Sequence, residues 1–481
     1  MKRVVILAGL MASACTMGPK HPTTPIALAP PVAAGTIAPA SGPAQTIVPG
    51  ATVQADWWRL FGSPALDALV DRALAANNDL ANADATLRQA REQARAAGGA
   101  SLPQVDASYQ AQRIRTSRVF SNPLSTDPDE YLYTLHTAQV SVAYPLDLFG
   151  QLRSKTRSAR AAATVAGDKL IAARTTVVAN LVSAVIQQAG LSAQILAAQS
   201  AVQSNRDVLK LLQQRQALGD IGASDVSAQQ TALATAEGAL PTLMHQRDHQ
   251  LGLIATLLGL AAGTPLPPLP TLPELTLPTT IPVALPAQIV ANRPDVRAAE
   301  AQMQGAAADL GAAIAARLPN ITLSANVGGE ATAITEMFAS GNPFWALIGG
   351  VTQPIFHGGQ LLHQKRAAEA ALDGAKAQYR SAALQAFLDV ADALSGLRTD
   401  GDALDAATRA DAAAAQTLRY TRRQLELGGV GTLALFNANA AAASASSQAV
   451  QARAARLGDT VALFQAVGGG VTIPADAGRA R

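Results

Sequence analysis

The residue types that carry chemistry are few in this chain, and their spacing serves it poorly. Of six histidines, His245 and His249 are four residues apart, which would set two metal ligands on one helix face. No third ligand is identifiable and no glutamate follows His245, so a solvated helix face is the better account. Gly468-Gly469-Gly470 lacks the following Lys-Ser/Thr of a phosphate loop and reads as a flexible chain end. There is no Gly-x-Ser-x-Gly, and the single cysteine, Cys15, would be consumed by processing. The chain is therefore read as no enzyme, with no metal and no cofactor beyond a covalent lipid.

That lipid would sit on Cys15. Lys2-Arg3 form a short positive region, Val4 to Ala14 is apolar, and Ala12-Ser13-Ala14 precedes the cysteine. This is the layout of a secretory signal, too short for a stable transmembrane anchor. An ordinary cut after Ala14 is one reading. The other is a bacterial lipoprotein signal, with lipidation of the new N-terminal Cys15. The position of the only cysteine favours it, although Ala12 stands where the pattern prefers Leu. Thr16, rather than Asp, fits sorting to the outer membrane.

The elements that must position everything else follow from composition. The chain has 481 residues, 49% hydrophobic but only 4% aromatic and 15% charged, against roughly 25% charged in an average soluble protein. Its apolar content is Ala, Leu and Val. No stretch reaches the ~18 consecutive apolar residues of a spanning helix. A helical-bundle membrane protein and a disordered chain are thereby excluded; long helices, or a β-barrel in lipid, remain. The 37 basic and 34 acidic residues are scattered, which gives a nucleic-acid partner no footing. Proline crowds residues 15–55 and 263–286 but is absent from Leu146 to Leu240 and from Ile355 to Ile473. Such runs, rich in Ala, Gln, Arg and Leu, predict long helices.

The two halves are copies. Asn78-Asp79-Leu80 with Leu102-Pro103 matches Pro294-Asp295-Val296 with Leu318-Pro319 at an offset of 216. Pro145 with Gly150-Gln151-Leu152 matches Pro354 with Gly359-Gln360-Leu361 at 209, and Leu218-Gly219 with Gly222 matches Leu427-Gly428 with Gly431 at the same offset. Each copy predicts a helix (Pro64–Ala97; Ala287–Arg317), a strand of period two, a polar loop and a returning strand. A long helix follows (Phe149–Ala217; Phe356–Glu426), then a glycine turn and a shorter helix back. The expected division is a signal at 1–14, a Pro-rich arm at 15–55 and a first repeat at 56–262. A Pro-rich linker at 263–286, a second repeat at 287–467 and a tail at 468–481 complete it.

Four strands of about ten residues can cross a bilayer as two hairpins. Alone they cannot close, and an open edge in hydrocarbon leaves costly unpaired backbone groups. A small sheet on a soluble helical body is the alternative, but the polar face has almost no large hydrophobic residues to bury. Three copies would supply twelve strands. The expected fold is mainly α with transmembrane β: a trimeric twelve-stranded barrel, four strands per chain, continued by a long helical barrel. Tyr131, Tyr133, Phe344 and Trp345, near loop ends, suit an interfacial girdle or ordinary loop positions.

The chain resembles the TolC-like outer-membrane factor family, in the lipoprotein branch typified by OprM. The residues that carry the likeness are Gly18-Pro19, Asp56-Trp57-Trp58 with Phe61, Asn78-Asp79-Leu80 and Leu102-Pro103. Tyr144 to Gly150, Arg293-Pro294-Asp295-Val296 with Glu300, and Leu318-Pro319 extend it, so that it covers Cys15 to Val467. The resemblance implies a homotrimer in the outer membrane of a Gram-negative bacterium, with a long periplasmic extension and an equatorial belt around 263–286. It implies as partners a periplasmic adaptor (membrane fusion protein), an inner-membrane RND pump and outer-membrane lipid. The implied role is the exit duct of a tripartite efflux pump, passively conducting drugs or other small toxic compounds. The same architecture also serves polypeptide (type I) secretion. A periplasmic coiled-coil scaffold is a third class, which would need no alternating strands.

By the same resemblance Gly219, Asp220, Ile221 and Gly222, with Gly428, Gly429, Val430 and Gly431, form the periplasmic tip that meets the adaptor. In such turns glycine supplies positive φ at little cost. Just beyond, the family's Val-Leu-Asp-Ala-like segment reads Leu435-Phe436-Asn437-Ala438, so Asn437 replaces a carboxylate of the narrowest ring. Asp225 in the first copy keeps an acidic residue. Asp225, Leu435 and Asn437 are the implied tunnel constriction.

Overall fold

The computed structural model describes residues 24–25, 35–37, 44–51, 53–115, 132–284 and 286–469. The signal with Cys15, the loop carrying Pro123, Pro128 and Tyr131, and the chain end after Gly469 lie outside the described residues. In chain order, the short strands β1 (Gly35–Ile37) and β2 (Gln45–Pro49) precede helices α1 (Pro64–Ala76) and α2 (Asn78–Gly99). Strands β3 (Gln104–Arg115) and β4 (Leu132–Leu146) lead into α3 (Gln151–Ala217) and α4 (Ala223–Leu257). After β5 (Thr280–Val283) come α5 (Pro286–Asn292), α6 (Pro294–Ala315), β6 (Asn320–Ala331) and β7 (Pro343–Thr352). The chain ends with α7 (Gln360–Glu426) and α8 (Thr432–Ala466).

Duplication is visible in the lengths. Helices α3 and α7 both have 67 residues, and α4 and α8 both have 35. At 1.5 Å per residue the long pair are about 100 Å each. They begin later than Phe149 and Phe356, because Gly150 (φ +78°) and Gly359 (φ +81°) turn the chain first. In the first copy the Asp147 carboxylate then accepts the amides of Leu152 (3.1 Å) and Arg153 (2.8 Å), capping α3.

The single helices expected over Pro64–Ala97 and Ala287–Arg317 are each broken once. Asn77 is extended (φ −71°, ψ 128°), and its Oδ1 accepts the amides of Asp79 (2.9 Å) and Leu80 (3.1 Å), starting a new helix. In the second copy Pro294 bars its predecessor from helical backbone, and the break falls at Arg293. Both breakers hold the same place. Asn77 Nδ2 donates to the Leu257 carbonyl at the end of α4 (3.0 Å), and Arg293 Nη1 donates to the Ala466 carbonyl at the end of α8 (2.9 Å).

The chain divides into two compact units. One, of the described residues 24–25, 86–115, 132–166 and 299–379, contains the four-stranded sheet β3-β4-β6-β7, antiparallel throughout. Its helical part buries Met303, Ala307 and Leu310 against Leu372 and Ala375. The other, of the described residues 35–37, 44–51, 53–85, 167–284, 286–298 and 380–469, holds the main core. There the scarce aromatics are concentrated: Trp57 and Phe61 are fully buried, and the Trp57 ring lies 5.2 Å from that of Phe464. The most apolar part of α3, with Val178, Leu181, Val182, Val185 and Ile186, packs into this core. By length and composition that helix could cross a membrane; its apolar face is taken up by Trp57, Leu66, Ile254 and Phe464 instead.

The two proline-rich stretches are not plain extended chain. Strand β2 pairs antiparallel with β1 and parallel with β5, setting Ile47 beside Ile281. Leu272 and Leu275 from the second stretch enter the main core. Strands of three to five residues leave no periodicity to read, and the β2–β5 pairing joins segments over two hundred positions apart.

Candidate functional site

The sheet sorts its side chains by chemistry. The register places Val105 opposite Val142, Val140 opposite Val327, and Val327 opposite Trp345, so these share one face. Tyr109, Tyr144, Leu323, Leu347 and Val351 fall on the same face by the two-residue period. The other face pairs Asp106 with Ser141, Ser108 with Gln139, and Ser141 with Asn326. The sorting lapses in β7, where Phe344 and Ile348 lie on the polar side, and at the loop end of β3 and β4, where Ile114, Tyr133 and Leu135 do. The apolar face is uncovered: Trp345 is 79% exposed and Val351 68%. A polar pair on it satisfies itself, Tyr109 Oη and His136 Nδ1 being 2.8 Å apart. Four strands whose outer edges have no neighbour among the described residues, with an apolar face open, match a barrel wall in lipid, where closure must come from elsewhere.

The two helical hairpins end in matched turns. Gly219 (φ +83°) donates to the Gln216 carbonyl and Asp220 to that of Arg215; Gly428 (φ +74°) and Gly429 repeat this with Leu425 and Gln424. Both are left-handed helix stops with paired reverse bonds. Only the first glycine of each turn needs positive φ. Gly222 and Gly431 have φ −81° and serve as helix starts, so the expectation of left-handed backbone across each turn narrows to Gly219 and Gly428. Asp220 is exposed and Ile221 half-buried at one turn; Val430 is half-buried at the other. Leu218 and Leu427 are 80% and 70% exposed.

The hairpins are joined just behind the turns. Thr432 Oγ1 donates to Asp225 Oδ1 (3.1 Å), and Leu435 is buried with Val208, Leu212, Val226 and Leu425. Leu435 is thus a packing residue between hairpins, while Asn437 and Phe436 are exposed beside it. Asp225 and Asn437 are not counterparts in the duplication. The equal helices pair Asp225 with Ala434 and Asn437 with Ala228, one helical turn away.

Two buried charge clusters escaped the sequence reading. Arg293, with its side chain 10% exposed, donates from Nη2 to Asp295 (2.7 Å) and Asp389 (2.8 Å), and from Nη1 to Ala466. Burial opposes the charge of Asp295, but the Arg293 guanidinium outweighs it and holds the carboxyl below its ordinary value. Second, side-chain ends of α8 lie where a Cβ on α7 would fall, the Asp459 carboxylate beside Gly396 and the Arg456 guanidinium beside Gly401. Arg456 is 1% exposed, and its guanidinium nitrogens have no hydrogen-bond partner among the described residues. Burial, with the charge and hydrogen bond of Asp400, pushes the Asp459 carboxyl up to about 6. The Arg-Pro-Asp string flagged Arg293 and Asp295 but not Asp389 or the Ala466 carbonyl; nothing in the alanine-rich helices marks Arg456 or Asp459. His245 and His249 are both exposed on α4, and among the described residues no three His, Cys, Asp or Glu side chains form a metal cluster.

A family model described as outer membrane efflux protein matches residues 69–260 and 285–469. The pyoverdine export outer membrane protein OpmQ of Pseudomonas putida is 31% identical over 458 residues, covering 93% of this chain and 94% of that one. The toluene efflux pump outer membrane protein TtgF of Pseudomonas putida is 28% identical over 417 residues, 86% of this chain and 85% of that one. Among solved structures, the outer-membrane channel OprN superposes with a TM-score of 0.84 at 27% identity, covering 95% of this chain and 99% of that one.

Proposed function

The chain belongs to the outer membrane efflux protein family, and we propose that it is the exit duct of a tripartite RND-type efflux pump. Its fold is that of the TolC-like outer-membrane channels. Three copies close a twelve-stranded barrel in the outer membrane, and their long helices continue as a periplasmic tunnel. A periplasmic adaptor meets the tips at Gly219–Gly222 and Gly428–Gly431, and an inner-membrane pump loads the tunnel. Small toxic compounds then leave passively through the tunnel. The carrying observation is the pair of two-stranded hairpins fused into one sheet, apolar on one face and open at both edges, leading into 67-residue helices.

Names of relatives support small molecules over polypeptides, because those reported export pyoverdine or toluene. Asp225 and Asn437 are the polar groups proposed for the constriction, with Leu435 packing behind them. Cys15 is the proposed lipid anchor. Deleting the gene while leaving adaptor and pump in place should raise retention of a hydrophobic fluorescent dye, and the intact gene should restore its loss. Unchanged retention, together with loss of a secreted polypeptide from the medium, would move the chain to the secretion class.

A further inference from the structure

The four strands carry two carboxylates and three bases, and the register puts the two kinds on opposite faces. Asp106, opposite Ser141, and Glu330, opposite Thr137, lie on the polar face. Arg113, opposite Thr134, and His136, opposite Ala111, lie on the apolar face, and Arg115 joins them two residues on. We propose that Arg113, Arg115 and His136 form a binding site on the outside of the barrel for the phosphate groups of a phosphorylated glycolipid in the outer leaflet. This rests on the sheet lying in the outer membrane, and not on what the duct conducts.

Height in the bilayer is the first support. Strand β3 follows α2 and β4 leads into α3, so Gln104 and Leu146 adjoin the helices and Arg115 and Leu132 mark the far end. With the helices in the periplasm, that far end lies in the outer leaflet. At about 3.4 Å per residue and a tilt of about 40°, Arg113 stands about 20 Å and Arg115 about 25 Å above Val105. The apolar band of such barrels is about 25 Å tall, so the two guanidinium groups bracket its upper edge. The side-chain pattern changes at the same level. Beyond Ala111 the bases take the outward positions, and Ile114, Tyr133 and Leu135 take the inward ones. A charge on the lipid face is costly at mid-bilayer and tolerated at its edge.

The second support is the arrangement of the bases. Arg113 and His136 are diagonal neighbours on adjacent strands, about 7–8 Å apart, and Arg115 is about 7 Å from Arg113 along β3. Tyr109, one step deeper, holds the histidine: its Oη is 2.8 Å from His136 Nδ1 and the rings stack at 16°. Nε2 of His136 is left for a ligand. Both arginines are exposed and have no hydrogen-bond or ion-pair partner among the described residues. Guanidinium groups take phosphate bidentately, and these side chains are long enough to meet on one headgroup. Directly below, Tyr109, Val140, Val327 and Trp345 keep the face apolar. A soluble anion needs no such surface; acyl chains hanging from a phosphorylated headgroup do. The outer leaflet assigns that headgroup to glycolipid, since phospholipid fills the inner one.

Native mass spectrometry of the complex extracted in mild detergent reads the bound lipid. The unsubstituted protein should retain glycolipid, and Arg113→Gln with Arg115→Gln should retain several-fold less at unchanged oligomeric mass. Tyr109→Phe, which keeps the ring and releases the histidine, should fall between the two. Asp106→Asn, on the opposite face, should retain as much as the parent. Delipidated protein should take up diphosphoryl lipid A from mixed micelles several-fold better than its phosphate-free form or phosphatidylglycerol. Equal retention by the double variant, or equal uptake of the phosphate-free form, overturns the site. Equal uptake of phosphatidylglycerol overturns the choice of glycolipid, and displacement by inorganic phosphate overturns the choice of a lipid. If the double variant does not reach the membrane, Arg115→Gln alone, at the edge of the band, carries the comparison. Absence of the unsubstituted protein from the outer-membrane fraction would sink the barrel reading itself.

Discussion

Asn437 is exposed on the first turns of α8, where the family resemblance implies a carboxylate. Three amides stand where three carboxylates would add to those of Asp225, so cations should block this constriction less, and pH should change its conductance less, than with Asp at both positions. Asn437→Asp should add cation block in planar-bilayer recordings; an unchanged response would remove Asn437 from the constriction. Glycine makes a second distinction at this scale. Gly219 needs φ +83° and has nothing within 4 Å of a Cβ, so Gly219→Ala should cost about 1 kcal/mol through the backbone alone. Gly431→Ala, at φ −81° with open space, should be nearly neutral in the same melting experiment. That each turn holds a left-handed glycine was legible from Leu-Gly-x-x-Gly. Which glycine was not, because helix stop and helix start both favour the residue.

Among the elements, the long helices were legible because proline is missing from their whole length, and their equal sizes followed from the repeat. Their broken neighbours were not, since the capping that stops α1 at Asn77 is completed by a carbonyl 180 positions away. Arg293 does the same in the second copy with a charge. Arg293→Met would leave Asp389 and Asp295 without their cation and the Ala466 carbonyl without its donor. Thermal unfolding should register a loss of about 3 kcal/mol, the low end for a buried ion pair, as both carboxylates are partly exposed. The α7–α8 contact predicts a pH effect. Folding raises the Asp459 carboxyl from 3.8 to about 6, so between those values the folded chain holds a proton that the unfolded chain has lost. Stability therefore falls as pH rises through that window and levels off above it. Asp459→Asn should flatten the melting temperature between about pH 4 and 6; a slope equal to the parent's would place the effect elsewhere.

At the scale of the whole molecule, low charge and scarce aromatics acquire a specific meaning. Trp57 and Trp58 are spent on one core, Trp345 stands uncovered on the sheet, and alanine packs the helices between. The barrel wall was legible because period-two alternation survives in three of four strands; β7, with Phe344 and Ile348 on its polar side, shows it least. The pairing of the proline-rich arm with Thr280–Val283 was not legible, as strands so short carry no pattern. If Cys15 is the anchor, cells given labelled palmitate should label the parent protein, and Cys15→Ser should abolish the label. Retained label would assign the lipid elsewhere. The central claim is that one chain supplies a third of a closed barrel. Native mass spectrometry of the complex extracted from the outer-membrane fraction tests it most directly: the account predicts three chains, and a monomer or a dimer would contradict it.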